Sequence, residues 1–217
     1  MINGYFPCVP HTHFWVFDEK YRLLFNLSPI KESKEYKQDI RMNTTDTIIT
    51  EKMRTHPNEG MKMLMDEYQE RLYWHIRRLV VHEDDAEDML QEVFIKIYQK
   101  FDSFKGESSL FSWIYRVATN EVLSFLRKKK EEILPLDKAR LHAADSYFEY
   151  GDKEAVALQE AIHNLPPKQQ TTFNLRYYDE LSFKQIAEIT ETSESSAKAN
   201  FCFAKQKIIE RMKQLEV

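Results

Sequence analysis

Glycine is scarce, with only 4 in the 217-residue chain. Tight hairpins and phosphate-cradling loops depend on glycine. An all-β fold and a glycine-rich nucleotide site are therefore disfavoured from the outset. Cysteine is rarer still. Cys8 and Cys202 make neither a disulfide framework nor a CxxC metal pair, as expected of a reducing compartment. No apolar run approaches the roughly 20 residues that a membrane-spanning helix needs. The N-terminal stretch MINGYFPCVPHTHFWVF has no basic region ahead of its apolar residues and no small-residue cleavage site, so no signal peptide is expected. The GxSxG, HExxH, GxxxxGK[ST] and GxGxxG patterns are also missing. The seven histidines are scattered, and no catalytic or ligand spacing stands out. Cys8, His11 and His13 lack a fourth metal ligand at the usual spacing. Asp84, Asp85, Glu87 and Asp88 read as helix-start carboxylates that complement the macrodipole. No enzyme, metal or cofactor is expected.

What is present favours helix. Glu, Lys, Leu and Met are abundant, 30% of residues are charged and 42% are hydrophobic. The expected class is an all-α cytoplasmic protein. Its net charge of −4 hides a segregation. Residues 105–130 carry six basic and two acidic side chains, while residues 57–104 and 131–164 are each net −5. Affinity for phosphates follows the local field rather than the total charge, so the basic block can still serve nucleic acid.

Residues 1–56 show no sustained period and are expected to be a weakly ordered extension. Apolar residues then recur as Leu64, Tyr68, Leu72, Ile76 and Leu79, an amphipathic helix over about 59–81. After a polar break, His82 to Asp85, with an Asp N-cap signal, a second helix runs from about Asp85 to Phe101, its core stripe being Ala86, Leu90, Val93, Phe94, Ile97 and Phe101. The stretch DSFKGESS is a loop, and Ser108 or Ser109 caps a third helix that runs to about Lys130. Residues 131–153, acidic and with Pro135 and Gly151, are expected to link two small helical domains, 57–130 and 154–217. The second domain is expected to hold helices over 154–164, 168–178 and 183–190, and a last helix from Glu194 almost to the C-terminus.

Three faces suggest binding. The last two helices have helix-turn-helix proportions. Ile186, Ala187 and Ile189 face inward with Ala197, Phe201, Ala204, Ile208, Met212 and Leu215. The opposite face of the last helix carries Ser195, Ala199, Cys202 and Gln206, flanked by Ser196, Lys198, Lys205 and Lys207. Small side chains with basic flanks suit a major groove. The third helix lines up Trp113, Arg116, Asn120 and Arg127 on one stripe. An aromatic ring, an amide and two guanidiniums suit unpaired bases and phosphates. The second helix exposes Asp84, Asp88, Gln91, Glu92 and Gln99 around Ile95. An apolar side chain within a polar rim suits a protein partner, and the carboxylates would repel DNA. On these features alone, a free-standing helix-turn-helix regulator remains an alternative.

Together these residues resemble bacterial sigma factors of the sigma-70 family, extracytoplasmic-function (ECF) type. Asp85 to Phe94 is similar to the DAEDxxQExF signature of region 2. Trp113-Ile114, Ala118, Asn120 and Arg127 resemble its W-L-x-x-I-A-x-N…R helix. Leu165-Pro166-Pro167-Lys168-Gln169, Leu175-Arg176-Tyr177-Tyr178 and Leu181-Ser182-Phe183-Lys184-Gln185-Ile186-Ala187 resemble region 4. The resemblance implies that Asp85, Asp88, Gln91, Glu92 and Ile95 bind the β′ clamp helices of core RNA polymerase. It implies that Phe104, Lys105, Ser108, Trp113, Arg116, Asn120 and Arg127 recognise and open the promoter −10 element. It assigns Ser195, Ser196, Lys198, Asn200 and Lys205 to the −35 duplex, and an anti-sigma protein is a further partner type. Two departures stand out. Ser195-Ser196-Ala197-Lys198-Ala199-Asn200 replaces a frequent Gly-Thr-Val-Lys-Ser-Arg, so the −35 sequence preference does not carry over. Ser124 stands where Asp is frequent.

Overall fold

A computed structural model describes residues 32–80, 82–132 and 153–215. By its contacts the chain divides into residues 1–39 and a larger unit, Ile40–Val217. The described residues form eight α-helices and a single 3-10 turn, with no strand among them. The helices are α1 (Glu32–Thr55), α2 (Pro57–Arg77), α3 (Glu83–Lys100), α4 (Leu110–Glu132), α5 (Lys153–His163), α6 (Pro167–Tyr177), α7 (Phe183–Thr190) and α8 (Glu194–Leu215). Cys8, His11 and His13, which the sequence disfavours as a metal site, lie outside the described residues, as do residues 133–152 of the expected linker.

Among the described residues, the structure corrects the expectation of weak order before residue 57. Helix α1 runs to Thr55, and Ile49 and Met53 are buried in the core. These two residues, four apart, are the only buried apolar side chains described in α1. Around them stands a threonine-rich run, TTDTIITEKMRT, with poor helix propensity. The helix is held by packing rather than by its local sequence. Pro57 opens α2, where its missing N–H costs nothing. At Gly60 a Cβ would lie 2.3 Å from the Met53 backbone nitrogen, so only glycine permits this approach of α1 and α2. The Tyr68 hydroxyl donates to the buried Asp46 carboxylate, joining the two helices a second time.

The core stripe of α2 is as expected: Leu64, Tyr68, Leu72 and Ile76 are buried, and Leu79 beyond it is buried too. In α3, Met89 is buried and Leu90 only half-buried, a rotation of the expected stripe by one residue. The N-cap of α3 is His82 rather than an Asp, and it has no side-chain cap bond. The start of α4 is capped by Ser109, whose Oγ accepts the Ser112 backbone N–H at 3.0 Å. Helix α7 begins with a capping box in which Ser182 and Gln185 satisfy each other's backbone donors. It ends at Glu191 in the left-handed region, φ 52.

Helices α2, α3 and α4 pack against one another, and α8 packs on α5, α6 and α7. The two groups meet where α7 lies on α4. Leu175, Leu181, Ile186, Ile189 and Ala197 join the same apolar core as Leu72, Phe111 and Ile114.

Candidate protein-binding and nucleic-acid interfaces

The outer face of α3 is built by what its inner face buries. Ala86, Met89, Val93, Phe94 and Ile97 turn to the core. Helical spacing then leaves Asp84, Asp88, Gln91, Glu92, Ile95 and Gln99 exposed on the other side. Ile95 is 49% exposed, and Tyr98, three residues on, is 48% exposed. Tyr98 widens the apolar centre of this face; sequence reasoning passed over it. Asp85 does not belong with the others. Its carboxylate accepts from Lys129 of α4 at 2.5 Å and is half-buried. It fastens α3 to α4 and withdraws Lys129 from the basic block.

The stripe on α4 is divided by burial. Asn120 and Arg127 are exposed and Arg116 is half-buried. Trp113 departs from the expected exposed stripe: it is 6% exposed, with its ring edge-on to Phe101 at 6.0 Å and tilted against Phe104 at 5.4 Å. Phe104 is itself buried. These two rings form a floor rather than an open stacking surface, because the 3-10 turn Phe101–Ser103 folds the following loop back over α4. On that floor the loop presents Lys105, exposed, and Ser108, half-buried. Gly106 sits between them at φ 78 with open space around it. Arg54 of α1 holds the loop by donating to the Phe104 carbonyl at 3.3 Å. No pattern in the sequence marked Arg54, because its partner lies 50 residues away.

Beneath Asn120 lies a buried polar junction that the sequence did not reveal. His75 Nε2 and Thr119 Oγ1 are 2.9 Å apart, and both residues are buried. His75 Nδ1 faces Asp179 Oδ2 at 3.6 Å. Burial, followed by the Asp179 charge, raises the Tyr115 hydroxyl pKa well above its ordinary value, so it stays protonated.

Helix α8 carries the third face. Ala197, Phe201, Ala204, Ile208 and Met212 are buried, as expected; the side chain of Leu215 lies outside the described residues. Ser195 and Ser196 are exposed at the N-terminus, where Ser193 accepts the Ser196 backbone N–H at 3.1 Å. Lys198 is exposed and pairs with Glu194 at 2.6 Å. Asn200 and Lys205 are half-buried. Burial lowers the Lys205 pKa below the ordinary lysine value, partly offset by Cys202 nearby. Ala199, Cys202 and Gln206 are exposed, and Phe203, which sequence reasoning did not single out, is 53% exposed. Its place on the helical wheel, beside Ala199, was the available signal.

Among the described residues no cluster of three or more metal-ligating side chains occurs, and no helix is long and apolar enough to cross a membrane. The arrangement is a set of exposed faces: one acidic with an apolar centre, two with cations and amides.

Comparison with known proteins gives a consistent result. Residues 64–132 match the sigma-70 region 2 family, and residues 155–208 match sigma-70 region 4. The ECF RNA polymerase sigma-E factor of Haemophilus influenzae is 28% identical over 184 residues, covering 79% of this chain and 97% of that protein. The sigma-E factor of Escherichia coli K12 is 25% identical over 184 residues, covering 79% and 96%. Among solved structures, the sigma factor RpoE of Bartonella quintana, in complex with the anti-sigma factor NepR, aligns with a TM-score of 0.57 at 23% identity, covering 70% of this chain and 96% of that one. CnrH, in complex with the cytosolic domain of CnrY, aligns with a TM-score of 0.60 at 15% identity, covering 78% and 98%.

Proposed function

Because the chain belongs to the sigma-70 family, ECF type, we propose that its three faces divide the work of transcription initiation among core polymerase, the −10 element and the −35 element. The chain is a sigma factor: it binds core RNA polymerase and directs it to promoters. It supplies specificity and no catalysis of its own, and it acts in the cytoplasm, where polymerase and promoter DNA are.

The observation that carries the division of labour is the contrast between α3 and α4. The exposed α3 face sets Asp88 and Glu92 around Ile95, which repels phosphate and suits the polymerase clamp helices. The α4 face sets Asn120 and Arg127 beside a glycine-hinged loop over the Phe104–Trp113 floor. Capturing an unstacked base offsets the energy of melting. The exposed amide and guanidinium, with the loop folding around the base, provide that capture. The buried rings keep loop and helix in register. Helix α8 presents Ser195, Ser196, Lys198, Asn200 and Lys205 to the −35 duplex, with hydroxyls and an amide for base edges and ammonium groups for phosphates.

Permanganate reactivity of unpaired −10 thymines, with reconstituted holoenzyme on promoter DNA, tests this reading. Asn120→Ala with Arg127→Ala should leave a closed complex and weaken reactivity, and pre-melted DNA should partly restore it. Full reactivity in the double variant would take melting away from this face.

A further inference from the structure

Helix α8 carries two phenylalanines that face opposite ways. Phe201 is buried, stacked on Phe173 and edge-on to Phe183. Phe203 is 53% exposed, the most exposed large apolar side chain among the described residues. An exposed ring of this size gains free energy from any surface that takes it out of water.

The surroundings of Phe203 say which surface that is. Ser196, Ala199, Phe203 and Gln206 follow one another at spacings of three, four and three residues, so they share one line along the helix. All four are exposed, on the side away from the buried Ala197, Phe201, Ala204 and Ile208. The line itself is uncharged, and cations stand on its two flanks: Lys198 and Lys205 on one, Lys207 on the other. Lys205 Nζ lies 5.9 Å from the Phe201 ring centroid, which keeps it at the edge. Exposed Glu210, one turn past Gln206, closes the line with a charge that repels phosphate. From Ser195 to Gln206 the helix rises about 17 Å, the length of roughly five base pairs. The other exposed apolar centre, Ile95 on α3, is ringed by carboxylates and suits a protein. Phe203 is flanked by ammonium groups and suits a polyanion.

Within the major groove the four bases differ in what they offer. Guanine presents two acceptors, cytosine an amino donor, adenine one of each, and thymine a C5-methyl group beside its acceptor. A phenyl ring neither donates nor accepts in the plane of a base, so the methyl is the group it can gain from. Ala199, one turn earlier, is small enough to let the backbone approach and lower the ring into the groove. We infer that Phe203 sets specificity at one position of the −35 element by packing its ring on the C5-methyl of a thymine. The inference rests on the −35 reading of α8.

The test removes that methyl alone. Duplexes carrying the −35 sequence selected by the reconstituted holoenzyme are made with each thymine in turn replaced by deoxyuridine, and fluorescence anisotropy gives their affinity for holoenzyme. At one position the wild-type protein should bind the uracil duplex about fourfold more weakly, the scale of one buried methyl. Phe203→Ala should bind the two duplexes equally, and Phe203→Leu should keep part of the difference. Lys207→Ala should weaken both duplexes and keep the ratio. If Phe203→Ala does not fold, Phe203→Gln is read in the same way. The absence of any methyl effect in wild type, or its persistence in Phe203→Ala, would overturn the inference. So would a Phe203→Ala variant that loses core polymerase but keeps the methyl ratio, since the ring would then be a protein contact. Repeating the measurement with duplexes selected by the chain alone keeps the two claims apart. A methyl effect there that Phe203→Ala abolishes, with wild-type chain unable to direct core polymerase to a start site, would sink the sigma-factor reading and leave Phe203 as the thymine reader of a free-standing regulator.

Discussion

The Arg54 guanidinium donates to the Phe104 carbonyl, tying α1 to the loop that leads into α4. This bond ties a residue outside the matched region 2 segment to a loop inside it. Arg54→Ala should cost about 1 kcal/mol or less, the net worth of one hydrogen bond. It should also speed amide exchange across residues 104–109. Unchanged exchange would show that the Phe101–Phe104–Trp113 packing holds the loop unaided.

Gly60→Ala should cost about 1–3 kcal/mol by urea unfolding, since the added methyl meets the Met53 backbone rather than a flexible side chain. The exposed neighbour Lys62 gives the comparison, and Lys62→Ala should stay within about ±0.5 kcal/mol. Equal effects at the two sites would mean that α1 and α2 separate easily.

Helix periodicity made α2 and the helix-turn-helix legible, because each carries a full stripe of apolar side chains at 3.6-residue spacing. Helix α1 was not legible, since Ile49 and Met53 alone carry its packing. The outward residues of α3 followed from its stripe even though that stripe was one residue off, with Met89 buried for Leu90. Two placements differ from expectation for a shared reason: Trp113, expected on the open stripe, is buried, and Asp85, expected on the polymerase face, is half-buried. Sequence gives the angle of a side chain on its own helix but not what a neighbour lays over it. Phe101 and Phe104 cover Trp113, and Lys129 draws Asp85 inward. The His75–Thr119 pair joins residues 44 positions apart and the Asp179–Arg78 pair residues 101 apart, beyond any local pattern.

His163 should make the fold sensitive to acid. Gln170 Nε2 lies 3.2 Å from His163 Nδ1, so the ring nitrogen accepts and the ring is neutral. Burial, and then the Arg77 charge, hold its pKa below the ordinary 6.5. The charged form is disfavoured in the fold, so its contribution is complete above pH 6.5 and is lost as pH falls from there towards the folded value. His163→Gln should remove this part of the pH dependence of the melting temperature. An identical slope in wild type and variant would show that the ring does not titrate with unfolding.

Reversing Asp88 and Glu92 to Lys, with Ile95→Arg, should abolish co-purification with core polymerase. All three side chains are exposed, so stability should change by no more than about 0.5 kcal/mol per site. A variant that folds and still binds core polymerase at wild-type affinity would move the interface off α3.

On α8, Ser195→Ala with Asn200→Ala should alter the preferred −35 sequence, each base contact being worth about 1–3 kcal/mol. Lys207→Ala should weaken duplex binding evenly across sequences and flatten its salt dependence. Selection from a randomised −35 library measures both, and an unchanged consensus in the double variant would place the reading residues elsewhere, with exposed Phe203 and Ala199 next to be tested.

The most direct measurement is in vitro transcription from a promoter library, with purified core RNA polymerase and this chain added or withheld. The account predicts that core polymerase alone initiates without promoter preference. Adding the chain should produce discrete start sites that share two conserved elements at fixed separation upstream. If the chain binds duplex DNA on its own but never directs core polymerase to a start site, the sigma-factor account is contradicted and a free-standing helix-turn-helix regulator takes its place.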